Sequence, residues 1–183
     1  MADGMTDLFT ASDLSDAVPR PLAEKMLPQK LSVLVGQDHL LGADAPLGRM
    51  LSSGQLSSII LWGPPGVGKT TIARLLAAET DLHFEAISAI FSGVKDLRAV
   101  FEVAQRRRDM GQGTLLFVDE IHRFNRAQQD VLLGDVERGG VTLIGATTEN
   151  PYFAVNSALV SRSQVFQFEP LSETDVTGVL QRA

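Results

Sequence analysis

Eight consecutive residues have the types and spacing of a phosphate-binding loop. They fit the pattern G-x-x-x-x-G-K-[ST] and run Gly63-Pro64-Pro65-Gly66-Val67-Gly68-Lys69-Thr70. In this pattern the glycines let the backbone approach closely, the lysine reaches the β- and γ-phosphates, and the hydroxyl contacts Mg2+. A predicted strand before the loop and a predicted helix after it surround one point with backbone N–H groups. The loop therefore predicts a nucleoside triphosphate site, and we include Thr71 among the residues that bind the nucleotide.

Two carboxylates follow a second apolar run, about fifty residues beyond the lysine of this loop. Residues 115–118 are apolar, and Asp119 and Glu120 come directly after them. Many strands end in acidic turns, but this order after a phosphate-binding loop favours ATP chemistry. Ligands bind at the carboxyl ends of strands in open parallel sheets. We expect Asp119 to hold Mg2+ with Thr70, and Glu120 to polarise the attacking water as a general base.

Two further candidates rest on weaker patterns. Thr147 and Thr148 end a third apolar run, where Thr148 is a candidate to orient the water or sense the γ-phosphate. Threonines also end strands without any such role, so the pattern alone leaves both interpretations open. Arg162 lies between two serines, just before the last apolar run. An arginine can neutralise transition-state charge in phosphoryl transfer, often from a neighbouring subunit, but most arginines are simply solvated.

Alternating strands and helices must position these groups. The apolar runs predict strands at 59–62, 83–88, 114–118, 141–146 and 165–168, and periodic patterns predict helices at 71–79, 94–110 and 128–136. This alternation predicts an α/β fold of the P-loop NTPase class: a five-stranded, mostly parallel sheet with helices on both faces. We divide the chain into an irregular N-terminal arm (1–30), an ATPase subdomain (31–170) and the start of a truncated helical lid (171–183).

Composition excludes several classes of protein. The 183 residues are 44% hydrophobic, which is enough for a core, and include no cysteine for a disulfide or a thiolate metal site. The net charge of −6 argues against a generally basic surface, although a local basic face on an acidic protein would still allow contact with DNA. Apolar stretches are too short to span a membrane, and the N-terminus does not resemble a signal peptide. We expect a cytoplasmic protein without membrane partners.

The motifs together resemble those of AAA+ ATPases, in the branch that contains clamp loaders and Holliday-junction motors. Within that branch the chain is similar to the family of replication-associated recombination proteins, which is related to the Werner-helicase-interacting proteins. Three segments carry this resemblance: Asp119 to Asn125, Gln128-Gln129-Asp130, and Thr147 to Pro151 with Asn156 to Arg162. The similarity covers essentially the whole chain.

The resemblance implies a role for each matching position. The fold would be the AAA+ α/β subdomain, with ATP and Mg2+ as cofactors. Glu120, Lys69, Thr148 and Arg162 would be catalytic, Thr148 as a first sensor and Arg162 in trans. The adenine would lie near Leu22, Val35, Gly36 and Gln37.

The same resemblance implies what the protein works on. Family members are oligomeric DNA-dependent ATPases, and the resemblance implies a tetramer for this protein. They act at stalled replication forks and on single-strand/double-strand DNA junctions, alongside single-stranded-DNA-binding protein. A nucleoid-associated location would follow.

Two alternative functions and one structural alternative remain open. The chain could be a clamp-loader-type ATPase or nucleotide-binding adaptor, or a Holliday-junction branch-migration motor, whose Asp-Glu-Ile-His-Arg stretch it shares. A GTPase is disfavoured because nothing matches the guanine-reading Asn-Lys-x-Asp pattern.

Residues 172–175 resemble a capping box that opens a helix, and we interpret this helix as the beginning of a lid. The alternative is a short terminal helix.

Overall fold

The computed structural model describes residues 36–181. The predicted arm (1–30), including Leu22, and also Val35 lie outside the described residues. The strands are β1 (Ile59–Trp62), β2 (His83–Ser88), β3 (Thr114–Asp119), β4 (Thr142–Thr147) and β5 (Gln164–Gln167). The α-helices are α1 (Asp38–Leu41), α2 (Pro46–Ser52), α3 (Lys69–Glu79), α4 (Val94–Asp109), α5 (Arg126–Glu137), α6 (Pro151–Ala154), α7 (Ser157–Ser161) and α8 (Glu173–Gln181). A 3-10 helix spans Ile121–Arg123.

The five strands of the described residues form one sheet in the order β2-β3-β4-β1-β5. Every neighbouring pair in this order is parallel. The five-stranded α/β sheet is therefore confirmed, and it is parallel throughout rather than mostly parallel. The predicted strands are correct to within one residue at each end and the three predicted helices to within two. Among 36–181, no helix combines the length and the apolar character that crossing a lipid bilayer demands.

Both faces of the sheet are covered. Ile59 and Leu61 of β1 belong to a core that includes residues of α1, α2 and α3. Ile60 between them belongs to a second core on the other face, with residues of α4, α5 and α7. Successive side chains of a strand point to opposite faces, so a strand buried on both sides has to be apolar at every position. This requirement explains the unbroken apolar runs in the sequence.

The order of the strands brings the candidate residues to one end of the sheet. β4 lies between β1 and β3, whereas β2, which comes between β1 and β3 in the sequence, lies at the edge. The C-terminal ends of β1, β4 and β3 are consequently neighbours. We call this end of the sheet the carboxyl edge and the opposite end, where the strands begin, the amino edge.

Gly145 in β4 has no Cβ and so leaves room for the turn that follows β3. A Cβ at Gly145 would lie 2.9 Å from Cδ1 and 3.3 Å from Cγ2 of Ile121. Ile121 is fully buried and begins the 3-10 helix. Glycine at 145 thus lets this helix pack closely on the sheet.

Helices α5 and α8 each begin with a capping box. Asn125 Oδ1 accepts from the backbone N–H of Gln128 at 3.0 Å, and Gln128 Oε1 accepts from that of Asn125 at 2.8 Å. Ser172 and Asp175 exchange the same two bonds at the start of α8. The capping box that predicts α8 is therefore confirmed. The domain boundary at residue 170 stays a prediction.

Candidate nucleotide site

The phosphate-binding loop connects β1 to α3 through backbone conformations that favour glycine. Gly66 and Gly68 have φ of 79° and 91°, and a Cβ at either position would meet open space, so conformation rather than crowding selects glycine there. Gly63 is different, because a Cβ there would lie 2.7 Å from the carbonyl oxygen of Phe168. The loop is thus held closely against the chain that leaves β5.

Lys69 begins α3 and points back into the loop. Its side chain is largely buried, with 8% exposure, and Nζ donates to the carbonyl oxygens of Gly63 and Pro64, both at 2.7 Å. Burial lowers the pKa of the Lys69 ammonium from its ordinary value, while the carboxylates of Glu120 and Asp119 act in the opposite direction. The cation therefore lies in the field of both acidic candidates. An ammonium has three N–H donors, so one remains for a phosphate.

One cleft of about 350 Å3 at the carboxyl edge brings the two main motifs together. Asp119 ends β3, Glu120 follows it, and the 3-10 helix turns the chain away. The residues that line the cleft are Pro65, Gly66, Gly68, Lys69, Thr70, Thr71, Asp119 and Glu120. Sequence positions about fifty residues apart thus meet, as the parallel sheet predicts.

Oxygen donors of the cleft suit a hard cation. The Asp119 carboxylate and the Thr70 hydroxyl both line it, and Mg2+ prefers such ligands while keeping several waters. Within residues 36–181, no group of three or more His, Cys, Asp or Glu side chains could hold a metal ion. The donor set therefore fits Mg2+ held by one carboxylate, one hydroxyl, water and phosphate, rather than an all-protein metal cage.

Glu120 has an unusual backbone conformation. Its φ and ψ are 54° and 45°, in the left-handed region that residues other than glycine rarely adopt. The Thr148 hydroxyl donates to Glu120 Oε2 at 3.4 Å, so the sequence candidate at the end of β4 does reach the acidic candidate at the end of β3. Thr147 is fully buried, and its hydroxyl contacts His122 rather than Glu120.

His122 belongs to this site, although no pattern in the sequence predicts a role for it. Its Nε2 lies 3.1 Å from Glu120 Oε2 and 3.5 Å from Glu149 Oε1, and its Nδ1 lies 2.9 Å from Thr147 Oγ1. The sequence shows only a histidine two positions after the acidic pair, on a turn too short for a periodic pattern to indicate its neighbours. Only the meeting of β3 and β4 in space identifies its partners.

Gly36 and Gln37 lie beside the chain that follows β5. Gln37 Nε2 donates to the carbonyl oxygen of Glu169 at 2.9 Å, and the Glu169 N–H donates to Gln37 Oε1 at 3.3 Å. A Cβ at Gly36 would lie 2.7 Å from Leu171 Cδ2. Among the described residues, neither lines the cleft that Lys69 and Glu120 share. Their contact with adenine stays a prediction, and Leu22 and Val35 lie outside the described residues.

Arg162 lies at the amino edge, away from the cleft. It precedes β5, whose first residue Gln164 pairs with Ile59 at the start of β1, whereas the phosphate-binding loop follows the end of β1. At about 3.3 Å per residue the length of β1 separates them. Arg162 Nη2 lies 2.6 Å from Glu137 Oε1, and the two side chains are 45% and 43% exposed. Arg162 therefore does not reach the cleft of its own chain.

Comparison with known proteins identifies the family of the chain. Residues 59–171, more than half of the chain, match the ATPase family associated with various cellular activities (AAA). The chain belongs to this AAA family. The matched region runs from β1 through the phosphate-binding loop, Asp119, Glu120 and Thr148 to Arg162 and the end of β5.

Individual AAA relatives narrow the similarity. The chain is 50% identical over 171 residues to replication-associated recombination protein A of Escherichia coli K12, covering 93% of this chain and 38% of that protein. It is 46% identical over 162 residues to ATPase WRNIP1 of Dictyostelium discoideum, covering 88% of this chain and 18% of that protein. The chain thus spans well under half the length of either relative.

A solved structure gives the same fold. The Holliday junction branch migration motor RuvB of Thermotoga maritima superposes with a TM-score of 0.71 and 26% sequence identity. The match covers 86% of this chain and 53% of the RuvB chain. The AAA α/β ATPase fold predicted from the motifs is confirmed.

Proposed function

We propose that this chain binds ATP and Mg2+ in the cleft at the carboxyl edge and that the protein hydrolyses ATP to ADP and phosphate. The observation that carries the proposal is the single cleft lined by the phosphate-binding loop, Asp119 and Glu120. Membership of the AAA ATPase family supports it independently.

Each side chain of the cleft has a role that its contacts support. Lys69 binds the β- and γ-phosphates with an ammonium already aligned by two carbonyl oxygens. Asp119 and Thr70 hold Mg2+, which when bound neutralises charge on the phosphate oxygens. Glu120 accepts the proton of the attacking water as general base, and Thr148, within reach of Glu120, helps to orient that water.

Arg162 acts on the ATP of a neighbouring subunit. A guanidinium supplied in trans can neutralise charge that develops on the transferred phosphoryl group. Its position at the amino edge, remote from the cleft of its own chain, supports this role. A homo-oligomer follows from the proposal, and the family resemblance favours a tetramer.

We further propose that ATP hydrolysis drives work on DNA at stalled replication forks and single-strand/double-strand junctions. The 50% identity to replication-associated recombination protein A supports this proposal. The full protein would act in replication, recombination and repair, with single-stranded-DNA-binding protein as a partner, at the nucleoid in the cytoplasm. DNA is expected to stimulate turnover in the oligomer, and this chain alone is expected to turn over weakly.

A Holliday-junction motor is the second candidate, because the fold matches RuvB closely. The two functions differ in their substrates. Stimulation of ATPase activity by forks or gapped DNA favours the first, whereas stimulation restricted to four-way junctions favours the second. Stable, stoichiometric binding to a sliding clamp would instead favour a clamp-loader-type ATPase or adaptor.

The central test separates ATP binding from turnover. Titration of this chain with a fluorescent ATP analogue, with and without Mg2+, measures binding, and the full-length protein that contains it is assayed for phosphate release with each DNA form. Glu120→Gln should retain binding and lower turnover by roughly 10²- to 10⁴-fold, the usual contribution of a general base. Glu102→Gln, the same change at an exposed position of α4, is the matched control. Normal turnover by Glu120→Gln would remove Glu120 from the mechanism.

A further inference from the structure

The imidazole of His122 connects the ends of β3 and β4. Only 3% of its side chain is exposed, and both ring nitrogens have polar neighbours. On one side are the carboxylates of Glu120 and Glu149, and on the other is the hydroxyl of the fully buried Thr147. A histidine with this degree of burial is fixed in one orientation by its surroundings.

The carboxylate neighbours assign the proton on Nε2, and the Thr147 hydroxyl anchors the other side of the ring. Ionised carboxylates only accept hydrogen bonds, so Nε2 carries an N–H that donates to Glu120 Oε2 at 3.1 Å. Thr147 Oγ1 accepts from the backbone N–H of Glu149 at 3.0 Å, and its own proton has two acceptors within reach, the Glu149 carbonyl oxygen at 3.0 Å and His122 Nδ1 at 2.9 Å. Thr147 thereby fixes the ring so that Nε2 faces Glu120.

Glu120 needs such a partner. Its backbone lies in the left-handed region directly after the strand ends, and its side chain has three rotatable bonds. The Thr148 hydroxyl contacts the same oxygen at the longer distance of 3.4 Å. Of these two contacts the bond from His122 is the shorter, and its donor is the more deeply buried group. Displacement of a reacting group by about 1 Å can cost roughly 10²-fold in rate.

We propose that His122 is a positioning residue that holds the Glu120 carboxylate in place for attack on ATP. Thr147 orients the imidazole, and the Nε2 proton restrains Glu120. The loop after β4 shares this restraint, because Glu149 Oε1 lies 3.5 Å from the same nitrogen. This inference rests on the proposed function, in which Glu120 is the general base.

Two amide substitutions separate the two sides of the ring. In His122→Gln the amide nitrogen replaces Nε2 and keeps a donor toward Glu120, whereas in His122→Asn it replaces Nδ1 and does not extend to Glu120. We expect His122→Gln to retain kcat within about threefold, and His122→Asn to lower kcat by roughly 10²-fold. KM and the affinity for the ATP analogue should change little in either variant, since neither substitution alters a cleft residue.

The assay uses the full-length protein, with melting temperature measured for each variant and Glu120→Gln assayed beside them. Equal kcat for His122→Gln and His122→Asn overturns the inference, whether both are normal or both are impaired. So does a loss of kcat that follows the loss of melting temperature or of nucleotide affinity. Normal turnover by Glu120→Gln overturns the proposed function and this inference with it. A normal His122→Asn beside an inactive Glu120→Gln overturns the inference alone.

Discussion

The two edges of the sheet carry cationic groups under very different constraints. At the carboxyl edge, Lys69 is largely buried and its ammonium is aligned by two carbonyl oxygens at 2.7 Å. At the amino edge, Arg162 is nearly half exposed and contacts Glu137, which is also nearly half exposed. Exposed ion pairs of this kind contribute about 0–1 kcal/mol, so the guanidinium can move at little cost.

This difference matches the distance at which each cation has to act. In the proposed mechanism Lys69 binds a ligand held within its own chain, so its fixed position lowers the cost of ordering the side chain on binding. Arg162, in the proposed mechanism, meets a phosphate held by another subunit. A side chain that leaves Glu137 readily can complete such a site after assembly. The contrast predicts that the two cations affect different measurements.

Replacement of Arg162 should have the largest effect. Arg162→Ala in the full-length oligomer should lower turnover by roughly 10³-fold, as expected for an arginine supplied in trans, and leave ATP affinity unchanged. Steady-state phosphate release and titration with the ATP analogue measure the two quantities. Arg106→Ala is the matched control, because Arg106 is an exposed arginine in the last turn of α4, on the same edge of the sheet.

A mixing experiment sharpens the Arg162 prediction. Oligomers reassembled from Arg162→Ala and Glu120→Gln subunits contain some interfaces with both an intact Glu120 and an intact Arg162. Turnover should therefore recover above that of either variant alone. An arginine that acts only within its own chain would show no recovery, and the contrast between the edges would then be wrong.

Replacement of Lys69 should affect binding instead. Lys69→Ala should lower the affinity for ATP by roughly 10²-fold, since hydrogen bonds to charged groups contribute about 1.5–3 kcal/mol each. The melting temperature is measured beside the affinity, because the substitution removes a charge that burial disfavours but also two hydrogen bonds to the carbonyl oxygens of Gly63 and Pro64. Titration of this chain and a thermal melt provide the measurements. Unchanged affinity would show that the cleft does not bind the phosphates through Lys69.

The smallest effect is expected on stability, and it tests the rigidity of the carboxyl edge. Gly145→Ala forces a methyl group against Ile121 and should lower the free energy of unfolding by about 1–3 kcal/mol. Gly134→Ala adds the same methyl inside α5, where its nearest neighbour is the end of Arg138 at 3.4 Å. That control should gain about 0.5–1 kcal/mol from helix propensity. Urea unfolding of both variants measures the difference, and equal effects would contradict the close packing of Ile121.

The sequence predicts the parts of the molecule that local pattern determines. Strands buried on both faces have to be apolar runs, and the glycines of the loop have to occur at fixed spacing. The cap of α5 at Asn125 is equally local, because its bonds involve residues only three apart. These signals are sufficient for the sheet, the phosphate-binding loop and the cleft.

The remaining features depend on contacts between distant residues. His122 meets Thr147 across 25 positions, and Gln37 meets Glu169 across 132, so neither pairing leaves a local pattern. Helices α1, α6 and α7 have four or five residues each, which is too short for a 3.6-residue period to appear. The left-handed backbone of Glu120 is also unpredictable, since glycine is the usual residue in that region.

That backbone conformation sets protein stability against activity at a single position. With φ at 54°, glycine or asparagine at position 120 would adopt this backbone conformation with less strain than glutamate. A screen that ranks variants by thermal stability would therefore select either residue at this position. Such a protein would fold better and would lack the general base that we propose for the attacking water. Selection for heat resistance alone should therefore enrich inactive sequences at this position, whereas selection for turnover keeps a glutamate that the backbone does not favour.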